Sequence, residues 1–252
     1  MLRQCHNIYI DDNGYCYLTG CDLNSGGTII FDLNTDPMQP ELVGKTPSVY
    51  AHDCYASGDF LYTADIYAGQ FSIYDISTIS DPQLLARQNT TSRFTHNVWS
   101  SDDNNYLFTT DEEPNAFVDA YDISNLNNIE RVDAFKPEST KGEGVIPHNT
   151  HFFNDYLVTS WYTDGVKIID AHKPDNLVEV GSYDTYPGPS GGFNGCWGAY
   201  PYLPSGLILA SDRSTGLYVL EPNYVRASYV EGIVRDSVTG LPISEAVLNI
   251  ES

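Results

Sequence analysis

The 252-residue sequence predicts an all-β protein: a β-propeller of four-stranded antiparallel blades, followed by the first strands of a small β-sandwich. Three observations carry this expectation. A unit recurs five times at intervals of 44 to 52 residues. Each copy holds short strand-like runs separated by turns rich in Asn, Asp, Gly or Pro. The composition also suits strands, with 13% aromatic residues, 19 of them Tyr, and only 18% charged. Repeats of this period form helical solenoids or blades, and no segment carries a 3.6-residue apolar stripe.

The register is set where each blade opens, by a histidine followed by an amide or acid, then an aromatic ring two positions on. His6-Asn7-Ile8-Tyr9, His52-Asp53-Cys54-Tyr55 and His96-Asn97-Val98-Trp99 open the first three copies. His148-Asn149-Thr150-His151 opens the fourth, and Trp197-Gly198-Ala199-Tyr200 the fifth, with Trp replacing the histidine. The following turns, such as Asp11-Asp12-Asn13-Gly14, Ser57-Gly58-Asp59 and Pro204-Ser205-Gly206, tolerate the positive φ of tight hairpins. They lack the spaced ligands and terminal Glu of a calcium loop. Second strands are expected at Tyr15, Phe60, Tyr106, Tyr156 and Leu207 onward. Third strands close on Asp32, Asp75, Asp122 and Asp170, read as turn-forming aspartates. Fourth strands follow near Glu41, Gln83, Ile129 and Leu177.

Residues 1–223 therefore form the propeller, with blades starting near residues 5, 51, 95, 147 and 196. The fifth unit reaches Leu220-Glu221-Pro222 without a fourth strand, so the ring is expected to be incomplete, with upstream sequence supplying closing strands and a signal peptide. At 224–228 the composition changes. The run from Val230 to Val247 reads as strand, turn, strand.

A net charge of −22 repels a phosphate backbone and an anionic bilayer, which argues against nucleic acid and membrane-surface partners. No apolar run approaches the ~18 residues of a spanning helix. Five cysteines leave at least one unpaired within the chain. Cys5 and Cys21, facing each other across the first hairpin, are the expected disulfide.

The His-Asn and His-Asp openings, Thr110-Asp111-Glu112, Tyr183-Asp184-Thr185-Tyr186-Pro187, Trp197-Gly198-Ala199-Tyr200-Pro201-Tyr202 and Gly216-Leu217-Tyr218-Val219-Leu220 together resemble the choice-of-anchor B family of LVIVD-repeat propellers. That resemblance implies an exported bacterial protein, extracellular or at the cell surface. It carries no activity over. The segment with Gly232-Ile233-Val234-Arg235-Asp236 and Thr239-Gly240-Leu241-Pro242 resembles the start of a carboxypeptidase regulatory-like domain.

Blade geometry suggests where chemistry would sit. The start of a first strand and the end of its antiparallel second strand meet at one face of the disc. His6, His52, His96 and His148 are thereby expected around one channel mouth with Asp65, Asp111, Glu112 and Asp212, and with His151, Trp161 and Trp197 nearby. Neutral imidazoles with carboxylates suit a divalent transition metal. Alternatively, each histidine locks its blade to a neighbour by hydrogen bonding. The expected function is a non-catalytic exported binding or scaffold module with a protein or glycan ligand. The alternative is a metal-dependent hydrolase or oxidoreductase using the histidine-rich mouth.

Overall fold

A computed structural model describes residues 2–230, 232–244 and 246–247. It is a five-blade propeller in which chain order and strand order coincide. Blade 1 comprises β1 (Asn7–Ile10), β2 (Tyr15–Thr19), β3 (Ile29–Asp32) and β4 (Glu41–Lys45). Blade 2 comprises β5 (Asp53–Ser57), β6 (Phe60–Asp65), β7 (Gln70–Asp75) and β8 (Gln83–Asn89). Blade 3 is built from β9 (Thr95–Ser100), β10 (Tyr106–Asp111), β11 (Val118–Asp122) and β12 (Glu130–Phe135). Blade 4 is built from β13 (Pro147–Phe153), β14 (Tyr156–Trp161), β15 (Gly165–Asp170) and β16 (Val178–Tyr183). Blade 5 has three strands, β17 (Cys196–Tyr200), β18 (Ile208–Asp212) and β19 (Gly216–Leu220). Every neighbouring pair within a sheet is antiparallel.

The hairpins that join first to second strands form where the sequence permits left-handed backbone, at Gly14, Gly58, Asn104, Asn154 and Asp155, and Gly206. The third-strand aspartates close tight turns as expected. Asp32, Asp75 and Asp122 accept the backbone N–H two residues on at 2.7, 2.8 and 2.9 Å. At Asp170 the same bond is 3.2 Å.

Core packing lies between blades rather than within them. One apolar cluster, with Tyr17, Ile30, Leu61 and Tyr74, joins blades 1 and 2. Others join blades 2 and 3 through Phe71, Ile73 and Leu107, blades 3 and 4 through Phe108, Leu157 and Trp161, and blades 4 and 5 through Val158, Ile168 and Ile208. Each fully buried side chain of this size stabilises the fold by about 1.5–3 kcal/mol. The inner strands β1, β5, β9, β13 and β17 pack in succession, but β17 makes no comparable contact with β1. The outward faces of the end blades are accordingly bare: Ile8 and Ile10 are 57% and 52% exposed, Leu217 and Val219 67% and 59%.

Cys5 and Cys21 form a disulfide, and Cys16, Cys54 and Cys196 are buried free thiols. Residues 224–229 strap the chain to blade 4. The Arg226 guanidinium lies over the Tyr156 ring and pairs with Asp155 and Asp170 at 2.8 and 2.9 Å. Beyond it, Val234 to Ile243 form a small hairpin around Asp236, which accepts the N–H groups of Val238 and Thr239. Glu231, Glu245 and 248–252 of the segment that resembles a regulatory-like domain lie outside the described residues.

Candidate functional site

The first strands bring chemistry together because each opens on a bulge. His6 N–H and Asn7 both address Thr19, and His52 N–H and Asp53 both address Ala64. The pairing of β9 with β10 slips between Thr110 and Asp111, that of β13 with β14 around His148, and that of β17 with β18 around Trp197. A bulge re-aims a side chain. Here it breaks the two-residue alternation, so that in blades 1 to 3 the histidines meet one another across the blades and so do the polar residues that follow them.

The result is a row of rings across four blades. The His6 and His52 ring centroids are 3.8 Å apart, and His52–His96 and His96–His148 are each 4.2 Å apart. Trp197 continues the row at 5.0 Å from His148. His6 and Trp197, at the two ends, are exposed, while His52, His96 and His148 are buried.

Two of the inner rings, His52 and His96, are also tied to the next blade. The Nδ1 of His52 donates to the His96 carbonyl, and the Nδ1 of His96 donates to the His148 carbonyl, both at 3.1 Å. A carbonyl can only accept, so Nδ1 carries the proton and a neutral ring keeps its lone pair on Nε2. The Nδ1 of His148 is buried without a hydrogen-bond partner among the described residues. Hydroxyls reinforce these seams: Thr110 donates to the His148 carbonyl and Ser160 to that of Trp197. Burial holds all four imidazoles below their ordinary pKa, His52 at about 4 and His148 at about 3. They are neutral at pH 7.

Among the described residues, one carboxylate meets the row. Glu112, the residue after β10, places Oε2 3.8 Å from His96 Nε2 and Oε1 3.8 Å from His148 Nε2. One donor atom from each of the three residues lies within 4.8 Å of the others. At 3.8 Å the imidazoles do not hydrogen-bond to the carboxylate. In a tetrahedral site with bonds of about 2.0–2.1 Å, donor atoms stand roughly 3.4 Å apart. A small contraction would therefore close these three around one ion. Glu112 is half-buried. Burial raises its pKa, against the opposing effects of the Tyr162 hydroxyl, which donates to Oε1, and the Arg213 guanidinium.

Tyr162 and Arg213 escape a reading based on blade openings. They follow β14 and β18 directly, as Glu112 follows β10, so one structural position supplies Glu, Tyr and Arg in three successive blades. Aligning the second strands and stepping one residue further would have found them. Arg213 Nη1 donates to the Phe193 carbonyl at 2.6 Å, and the Phe193 ring packs edge-on against Tyr162. Gly195 makes this approach possible, since a Cβ there would lie 2.0 Å from the Tyr162 carbonyl oxygen.

The remaining expected residues sit elsewhere. Asp65 accepts from Thr63, Ser72 and Gln70 within blade 2. Asp111 accepts from the Thr90 hydroxyl and the Ser92 and Phe94 N–H groups of the connecting loop. Asp212 accepts from Thr185, Ser214 and Thr215. All three carboxylates thus already have donors, from their own blades or from the loops between blades. Trp161 is fully buried in the core between blades 3 and 4.

His151 belongs to the opposite mouth. There Tyr9, Tyr55, Trp99, His151 and Tyr202 pack ring on ring, Tyr55 stacking on Trp99 at 3.9 Å and His151 meeting it edge-on at 4.6 Å. Between the two mouths lies an amide layer in which Asp53 accepts from Asn7 and Asn97 at 2.5 and 2.7 Å. Burial pushes the Asp53 carboxyl up to about 6.

Residues 49–90, which contain blade 2, match the LVIVD repeat family. No curated protein matches the sequence. Among solved structures, a protein from Lactobacillus plantarum superposes with a TM-score of 0.69 at 10% identity, over 97% of this chain and 70% of that one. The periplasmic gluconolactonase PpgL of Pseudomonas aeruginosa gives 0.63 at 14% identity, over 93% and 67%. A putative 6-phosphogluconolactonase from Bacteroides uniformis gives 0.61 at 16%, over the same shares. At these identities the likeness is one of fold.

Proposed function

We propose that this chain is the binding module of an exported protein and that its histidine mouth holds a divalent transition-metal ion. The observation that carries the reading is the division of labour within the His96 imidazole. Its Nδ1 is spent on the next blade's carbonyl, and its Nε2 is left bare beside Glu112, as is the Nε2 of His148. A metal-ligating histidine oriented through its second nitrogen by a carbonyl is the usual supporting arrangement. His96 and His148 with Glu112 form a two-histidine, one-carboxylate set that suits zinc. The Cys5–Cys21 disulfide and the acidic surface support an oxidising, extracellular setting.

A second reading, a metal-dependent hydrolase, is favoured by one feature. Three protein ligands leave a coordination position open, as in catalytic zinc sites, where a bound water becomes a nucleophile. The scaffold reading is favoured by the opposite mouth, which aromatic rings fill.

Zinc titration of the metal-free protein by calorimetry, with elemental analysis, tests the proposal. One ion per chain is expected, and His96→Ala or His148→Ala should weaken binding at least a hundredfold. Absence of stoichiometric metal in the unmutated protein would end the reading.

A further inference from the structure

We infer that the open side of this metal site receives the carboxylate of a small organic acid, with Arg213 as its partner on the protein. The inference rests on the metal reading and adds the class of ligand.

The chain is strongly acidic, with 34 acidic and 12 basic residues. A guanidinium at the one mouth that gathers bare imidazole nitrogens is therefore a notable placement. Arg213 is fixed there from two sides. Its N–H donates to the Gly195 carbonyl at 2.8 Å, and Nη1 donates to the Phe193 carbonyl. Phe193 in turn packs on Tyr162, whose hydroxyl holds Glu112. The guanidinium's charge reaches both the Glu112 carboxyl and the His148 ring. No salt bridge to an acidic side chain neutralises Arg213 among the described residues.

An arginine has five N–H donors in a planar fork matched to a carboxylate, and Arg213 keeps donors beyond the one given to Phe193. An ion on His96, His148 and Glu112 carries a net positive charge beside it. One oxygen of a ligand carboxylate would then complete the metal's shell while the other meets the guanidinium. A neutral ligand gains little from Arg213, and an acidic polymer is repelled by the rest of the surface. A single small acid fits both constraints.

Calorimetric titration of acetate into the zinc-loaded protein tests this, with acetamide as the neutral control. Acetate should bind, and acetamide at least tenfold more weakly. Arg213→Gln should weaken acetate by roughly ten- to a hundredfold, the loss expected for a hydrogen-bonded charge pair, while zinc binds no more weakly than before, because the charge removed repels the ion. Arg213→Lys should recover part of the acetate affinity, because charge returns without the fork. Equal acetate binding by the Arg213→Gln protein would overturn the inference and leave the metal reading intact. Failure to bind zinc at all would overturn both. A tetrapeptide with a free C-terminus, set against its amidated twin, separates a free acid from a chain terminus. Tighter binding of the free peptide than of acetate would overturn the small-acid assignment.

Discussion

The two mouths of the channel are built by the same strands, three residues apart, and behave as chemical opposites. The first residue of each opening motif contributes the histidine row, and the fourth, joined by Tyr202 just beyond β17, contributes the aromatic row. At about 3.3 Å of rise per residue the two layers stand roughly 10 Å apart. Aromatic rings satisfy themselves by packing face and edge on one another, so Tyr9, Tyr55, Trp99 and Tyr202 fill their end. Imidazoles pack as closely but have two nitrogens to account for. In His52 and His96 the blade seam consumes one, and the other remains as a lone pair. The repeat that closes one mouth thus leaves the other chemically unsatisfied, and the difference lies in the polar count of the side chain rather than in its size.

The largest way to separate the two ends is pH. In the metal-free protein His52 and His148 at one mouth, and His151 at the other, are held neutral by burial, at about 4, 3 and 4. In the unfolded chain they take up protons near pH 6.5. Below that point the unfolded state binds more protons, so stability falls with decreasing pH, by about 1.4 kcal/mol per pH unit for each titrating histidine. Asp53 acts in the opposite direction. Its folded pKa of about 6 lies above the unfolded value of 3.8, so its contribution is full below 3.8 and is lost as pH rises toward 6. Urea unfolding between pH 7.5 and 4.5 should show a net loss of several kcal/mol on acidification. Asp53→Asn should steepen that loss below pH 6. A flat profile would contradict the burial of these rings.

A smaller effect should fall on the aromatic mouth alone. Trp99 touches Tyr9, Tyr55, His151 and Tyr202, so Trp99→Ala removes the ring on which the others converge. A loss of about 3 kcal/mol is expected, with zinc affinity unchanged. Coupled loss of zinc binding would show that the two ends are not independent, and thermal unfolding beside zinc titration decides it.

Most strands and every blade opening were legible in the sequence, because strand runs and turn residues follow local rules. The site was legible only in part. The expectation gathered Asp65, Asp111 and Asp212 at the mouth from strand ends alone. Those carboxylates are instead taken up by hydroxyls and N–H groups of blade loops and neighbouring strands, such as Thr90 with Ser92 and Thr185 with Ser214. Nothing in a two-residue alternation shows which acid already has its donors. The bulge at each opening was hidden for a related reason: it is a property of how two strands share a hydrogen-bonding partner. Trp161 was drawn into the core because every residue of β14 is buried. Glu112 was within reach because β10 runs into three consecutive acids, Asp111, Glu112 and Glu113, of which only the first belongs to the strand.

The smallest expected effect bears on the histidine row itself and separates locking from ligating. His52 shares the seam bond of His96, donating Nδ1 to the next carbonyl, yet among the described residues no carboxylate stands beside it as Glu112 stands beside His96 and His148. Its blade has Ile66 after β6, where blade 3 has Glu112. His52→Ala should therefore remove one buried hydrogen bond and one ring from the row, a cost of about 1–2 kcal/mol, and leave zinc binding in place. His52→Asn should recover part of the stability, because an amide N–H can take the position of Nδ1 while offering no Nε2. If His52→Ala also abolished zinc binding while His52→Asn failed to restore it, the ligand set would have to extend along the row to a third imidazole. Retained zinc binding in both variants would fix the boundary between lock and ligand at the blade where Glu112 enters.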